Sequence, residues 1–311
     1  MSGQWMLMNP VLQPIALAFG RFELPGWRRV LNRVAGHDHI EQAPHTRVRG
    51  KLHGMWMDLE LCDWSDRWAY FLGRYYEAHT QRLFQLAIRP GDTFVDIGAN
   101  IGMTTLCAAA CVGESGRVVS FEPNPKVFAR LKRHIESNGL SARVDIRNIG
   151  IADAPGELEL HVPRHTGEAS FARPTHNSET IVSTKVPVRV GDAELAGLPE
   201  APMFVKIDVE GFEMHVLQGL AKTLEARRPA VVLECVESHF VRAGTSTAEI
   251  FRFMAGHGYV PHSVEYHEPP IGWPGALSLR RLSHAQDVNA DDVLFLPASG
   301  EHRNRLEMCI E

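Results

Sequence analysis

A buried strand that runs straight into a glycine turn and then into a buried helix leaves a chain few folds to adopt. Residues 93–102 read TFVDIGANIG, and residues 103–112 follow as MTTLCAAACV, stopping at Gly113. Apolar character on both sides of the turn means that both strand faces and nearly the whole helix must be covered. A parallel sheet with helices on both faces does this. The unit then repeats: strands are expected at 94–97, 117–121, 142–148, 203–208 and 230–234, with helices at 103–112, 126–137 and 211–224 between them. Val127, Leu131 and Ile135 are spaced by four, with Lys and Arg opposite, and Asn138-Gly139 closes that helix. Residues 258–260 and 292–296 read as the last two strands, and 269–275 as a Gly/Pro-rich loop between them. The expected fold is α/β: a Rossmann-like, mostly parallel seven-stranded sheet with right-handed crossovers.

Two stretches depart from the alternation. Residues 1–75 read as an N-terminal extension, with short amphipathic helices at 11–22 and 27–34 broken at Pro25-Gly26 and a strand at 54–61. It is expected to cover the main domain (76–311), or to touch a membrane or lipid-linked substrate. Residues 66–88 carry apolar residues at helical spacing up to Pro90-Gly91. The second departure, near 156–190, alternates at 157–162 and 182–190 around a polar loop. That pattern fits a hairpin-like β insertion whose loop serves as lid, recognition element or plain surface. Ser246 and Glu249 form a capping box for a helix at 248–256.

Composition narrows the function. A net charge of −5 over 311 residues does not suggest a nucleic-acid binder. No window is apolar enough for a membrane-spanning helix, and the N-terminus lacks a basic region before its apolar part, so no signal peptide is expected. Five cysteines without a CxxC pair fit a reducing, cytoplasmic setting.

The turn at Gly98 lacks the middle glycine that lets a dinucleotide pyrophosphate approach the backbone, and Asp96 precedes it. An acid there suits a cationic ligand such as S-adenosylmethionine, with its ammonium and sulfonium. Glu122 ends the next strand, where a carboxylate can accept from ribose hydroxyls. The strand VKIDVEGFE (205–213) ends in Asp208 with Glu210 beyond it, and the following strand ends in Glu234 with His239 nearby. Three successive strand ends thus direct acids toward one rim. Asp208 or Glu210 could instead simply cap the next helix. The i,i+4 pairs His161/His165 and Cys235/His239 read as incidental, and His37, His39 and His257 have no convincing partner.

PGDTFVDIGANIG, GRVVSFEPNP and VKIDVEGFE, in this order and spacing, resemble the FkbM-type methyltransferases over roughly residues 76–296. The resemblance implies a class I, S-adenosylmethionine-dependent fold and O-methylation of a sugar, glycolipid or polyketide-type hydroxyl. It implies that Asp96, Gly98, Ala99, Asn100 and Gly102 line the methionine side of the cofactor. Glu122 would meet the ribose, with Pro123 also against the cofactor, Asn148 with the 150–153 turn the adenine, and Asp208 the reacting end. A hydroxyl is a weak acid, so a base is expected, with Asp208, Glu210, His239 and Glu234 as candidates. No metal site is assigned, although two of these carboxylates could hold a magnesium-like ion for the same purpose. The expected partner is a small-molecule hydroxyl acceptor. An N-methyltransferase is the alternative enzyme, disfavoured because DVEG stands where an N/D-P-P-Y/F tetrapeptide would. A methyltransferase-like fold that binds without catalysis is the alternative from another class.

Overall fold

The computed structural model describes residues 12–36, 40, 43–162, 169–171, 182–289 and 292–311. His37, His39, His165, Val11 and most of the 164–179 loop lie outside them. The described residues begin with α1 (Leu12–Phe22), α2 (Trp27–Val34) and an antiparallel pair, β1 (His45–Arg49) and β2 (Trp56–Glu60). The helical spacing at 66–88 resolves into two helices, α3 (Trp64–Leu72) and α4 (Ala78–Ala87). The break is at Gly73, whose φ of 66° ends α3 in the left-handed region.

Next come β3 (Thr93–Ile97), α5 (Met103–Val112), β4 (Arg117–Phe121), α6 (Pro125–Ser137) and β5 (Val144–Arg147). Asn124 caps α6 by accepting from the Lys126 amide at 3.1 Å, with Pro125 at the first helical position. The insertion forms β6 (Gly150–Ala152), β7 (Gly156–Val162) and β8 (Val182–Val190), a three-stranded sheet in which β7 and β8 are antiparallel, as their alternation predicts. After α7 (Gly191–Leu195) and β9 (Met203–Ile207), the single helix expected at 211–224 is two, α8 (Glu213–Gly219) and α9 (Ala221–Arg227), hinged at Leu220. β10 (Ala230–Glu234), α10 (Glu237–Arg242), α11 (Thr247–Gly256), β11 (Tyr259–His267), β12 (Ala276–Arg281), β13 (Asp292–Pro297) and α12 (Glu301–Leu306) complete the chain.

The main sheet runs β12-β11-β13-β10-β9-β3-β4-β5. Among the described residues it has eight strands rather than seven: β12 adds antiparallel to β11 at the far edge, just after the expected loop. β5, β4, β3, β9 and β10 are parallel, and β13 enters antiparallel against β10. The chain winds outward from β3 through β4 to β5, then returns to the other side of β3 as β9. This reversal falls between β3 and β9, and the carboxyl ends of the strands at such a switch point are where sheets of this kind bind ligands.

Two cores lie against opposite faces of the sheet. The small residues of α5 let it sit directly under β3, with Leu106, Ala108, Ala109 and Val112 fully enclosed. The N-terminal extension shares this core through Ala16, Trp27, Leu31, Met57 and Leu59. It is locked by a buried cluster in which Glu23 accepts from Arg74 and Lys51. Among the described residues no helix is long and apolar enough to cross a membrane.

Candidate functional site

The turn after β3 is built by three left-handed residues, Gly98 (φ 80°), Asn100 (φ 50°) and Gly102 (φ 91°). Gly98 is obligatory: a Cβ there would stand 1.8 Å from the Asp208 carbonyl oxygen, so the turn and the DVEG segment pack backbone to backbone. Gly98 and Ala99 amides both donate to the Phe121 carbonyl at 3.0 Å, and the Asn100 side chain accepts from the Ile101 amide at 2.8 Å. Gly211 plays the matching part on the other side. With φ 106°, it brings the DVEG turn against the His239 carbonyl, which an added Cβ would meet at 2.7 Å.

Asp96 is fully buried beneath this turn. Its Oδ2 accepts from the Thr104 and Thr105 hydroxyls at 2.9 and 2.6 Å, while Oδ1 has no hydrogen-bond partner among the described residues. Burial raises its pKa, against the pull of Lys206. Glu122 is held by two backbone amides, Asn100 to Oε2 at 2.9 Å and Asn124 to Oε1 at 2.8 Å. Burial nonetheless pushes its carboxyl up to about 7. Each oxygen keeps a second lone pair. Asn148 braces this loop, its amide donating to the Glu122 and Pro123 carbonyls at 2.7 and 3.1 Å.

The acids expected at one rim do converge. Asp208, after β9, contacts Lys206 Nζ at 2.8 Å. Glu210 adopts φ 56°, and its carbonyl accepts from Ser170 Oγ at 2.6 Å, so the insertion reaches the DVEG turn. His239 Nδ1 lies 3.2 Å from Glu210 Oε2 and 3.6 Å from Glu234 Oε2. Glu234 is pushed up to about 7, chiefly by burial and then by Asp208. His239 is raised above the ordinary imidazole value, mainly by its interaction with Glu234 and against its burial. Glu213, fully buried, accepts from the Val209 and Gly211 amides through Oε1 and rigidifies the turn.

Sequence reasoning missed several rim residues. Lys206 is the chief one, a lysine inside an otherwise apolar strand, which is itself a signal because a buried ammonium needs carboxylates around it. Glu77, His79 and Asp292 form another group: His79 Nε2 contacts Asp292 Oδ2 at 2.8 Å, and Glu77 accepts from Tyr75 Oη at 2.8 Å. Asp292 is the register partner of Glu234 across β10 and β13, a pairing that only the sheet reveals. Glu210/Glu234/His239 and Glu77/His79/Asp292 each bring three ligand atoms within 4.8 Å of one another. Cys235 is buried in the core rather than paired with His239 as a ligand, and His161 bonds Ser183 at 2.9 Å. His257 bonds the Phe253 carbonyl at 2.9 Å.

The model of the methyltransferase FkbM domain matches residues 96–261, more than half of the chain. The chain belongs to the FkbM methyltransferase family. Curated relatives include Methyltransferase 1 of Beauveria bassiana, 30% identical over 162 residues (46% of this chain, 65% of that protein). The hexuronic acid methyltransferase AglP of Haloferax volcanii is 30% identical over 167 residues (53% and 62%). The 31-O-demethyl-FK506 methyltransferase FkbM of Streptomyces tacrolimicus is 28% identical over 218 residues (60% and 80%). The match therefore spans just under two thirds of the first two relatives' lengths.

S-adenosylmethionine is the cofactor of such domains, and the residues present fit it. Buried Asp96 Oδ1 is an acceptor in want of a donor, as an ammonium group would be, and Glu122 offers two oxygens to a diol. Nothing in the donor set at the turn is shaped for a pyrophosphate, which carboxylates would repel.

Proposed function

We propose that the protein is an S-adenosylmethionine-dependent O-methyltransferase acting on a hydroxyl of a sugar or natural product, with residues 76–311 as the transfer domain. The printed names of two relatives, a hexuronic acid methyltransferase and a 31-O-demethyl-FK506 methyltransferase, support that acceptor class. S-adenosylmethionine supplies an electrophilic methyl group, so the protein's task is to align the acceptor and remove its proton. Asp96, Gly98, Ala99, Asn100 and Gly102 would hold the methionine end, Glu122 and Pro123 the ribose, and Asn148 the loop beside the adenine.

The single observation that carries the reading is His239 set between two carboxylates at the rim. Its Nδ1 faces Glu210 and Glu234, which leaves Nε2 as the proton acceptor for the substrate hydroxyl. Glu234 stabilises the imidazolium that forms, as the carboxylate of a catalytic dyad does. Asp208 serves differently: engaged by Lys206 at 2.8 Å, it orients the acceptor instead of taking its proton.

Transfer of a labelled methyl group to a panel of uronic acids, glycosides and macrolide alcohols tests the reading. His239→Asn should lower kcat roughly 10²- to 10⁴-fold with little change in donor affinity. The wild-type kcat/KM should rise with pH through the neutral range, because protonated His239 cannot accept and its pKa is raised. Resistance to chelation is expected; activity abolished by chelation and restored by magnesium would assign Glu210, Glu234 and His239 to an ion instead. Transfer to amines but not to hydroxyls would refute the acceptor class.

A further inference from the structure

We propose that α1, α2 and the adjoining 268–275 loop form a docking surface for an anionic membrane, which seats the catalytic rim at a bilayer. α1 turns Ala16 and Gly20 inward, while Ile15 and Phe22, seven residues apart and so on one stripe, are 50% and 66% exposed. Ile271, 61% exposed, adjoins the end of that stripe, because the Gly272 amide donates to the Glu23 carbonyl at 3.3 Å. Single exposed apolar side chains are ordinary on a protein surface. These three are set apart by what flanks them.

α2 buries Trp27 and Leu31 and turns Arg28, Arg29 and Arg33 to solvent. Arg28 pairs with Glu268 and so ties the loop carrying Ile271 to this helix. Arg29 and Arg33 have no carboxylate partner among the described residues. Residues 12–36 and 268–275 together hold four arginines against Glu23 and Glu268, a local charge of +2 in a chain of −5. Glu23 is buried and already neutralised by Arg74 and Lys51. Protruding apolar tips beside an uncompensated basic face are what an interfacial helix presents to anionic headgroups and the acyl boundary beneath them. The charge selects an anionic lipid surface over a neutral apolar partner.

The surface is also mechanically joined to the rim. Arg74, which holds Glu23, donates to the Tyr75 and Tyr76 carbonyls at 2.8 and 3.2 Å, and Tyr75 Oη donates to Glu77 at the rim. An acceptor anchored in the same bilayer would therefore be delivered beside Asp208 and His239.

Co-sedimentation of the full chain with vesicles tests this, using phosphatidylcholine alone and phosphatidylcholine mixed with phosphatidylglycerol. Binding is expected to the mixed vesicles only, and to weaken with salt. R29S/R33S should lower the partition coefficient roughly tenfold or more, and F22S/I271S should lower it comparably. Both variants should keep the wild-type Tm and affinity for S-adenosylhomocysteine. No binding to anionic vesicles, or binding that neither pair of substitutions weakens, overturns the proposal. A change of oligomeric state in F22S/I271S, measured by light scattering in a protein that does not bind vesicles, would also overturn it and assign the stripe to a second copy.

Discussion

Replacing Lys206 with methionine removes the cation around which the acidic rim is arranged. Lys206 is 7% exposed, stands beside Asp96 in the β3–β9 register, and contacts Asp208 at 2.8 Å. Burial opposes its charge, but Asp208, Asp96 and Glu77 outweigh that and hold its ammonium well above the usual lysine range. At 2.8 Å and an effective dielectric of about 20, the Asp208 contact alone has a gross Coulomb energy of about 6 kcal/mol. Part of this is offset by the desolvation that methionine no longer suffers, and part by water reaching Asp208, which is 30% exposed. A net loss of about 3 kcal/mol is expected near neutral pH, within the range for breaking a buried pair. The loss should depend on pH with a definite sign. Without Lys206 the pKa of Asp96, already raised by burial, rises further. The folded variant then binds more protons than the unfolded one, so its stability falls as pH rises. Urea unfolding at about pH 5.5 and about pH 8 should show the smaller deficit at the lower pH. A deficit below about 1 kcal/mol, or one equal at both pH values, would refute the role given to Lys206.

Gly98→Ala should destabilise the protein by more than about 3 kcal/mol, or prevent folding, since it combines φ 80° with a Cβ 1.8 Å from the Asp208 carbonyl; thermal unfolding checks this. Glu213→Gln should stabilise at alkaline pH. Burial lifts Glu213 to about 7, so the wild-type protein loses stability as pH rises from about 4.5 to about 7. The amide, which can still accept from Val209 and Gly211 through its oxygen, should be ahead by roughly 1–3 kcal/mol at about pH 8 and level near pH 4.5 in denaturant titrations.

The parts of this molecule that were legible in the sequence are those whose signal is local. The strand–turn–helix at 93–112, the glycine at 98 and the closing of α6 at Asn138-Gly139, where Gly139 takes φ 66°, each follow from neighbours within a few residues. So does the rim position of Asp208 and Glu234, because a strand end is local too. Helix interruptions were harder. The 66–88 stretch keeps helical spacing across Gly73, and only the φ of 66° shows the chain turning there. β12 was hidden because Ala276–Arg281 follows a Gly/Pro-rich loop that reads as a simple connection, and only the sheet shows the chain returning antiparallel along β11 as its edge strand. The same limit explains the missed half of the rim. Glu77 and His79 precede or begin a helix, Asp292 begins a strand more than 200 positions away, and only the sheet brings them together. Lys206, two residues before Asp208, was open to the same local reading, because the strand's alternation places both side chains on one side.

Calorimetric titration of the protein with S-adenosylhomocysteine, alongside Glu122→Ala, tests the central claim most directly. Saturable one-to-one binding is expected, weakened roughly 100-fold in the variant, which loses the acceptors for both ribose hydroxyls. Absence of binding by the folded wild-type protein, or an affinity that Glu122→Ala leaves unchanged, would contradict the placement of the methyl donor at the Gly98 turn.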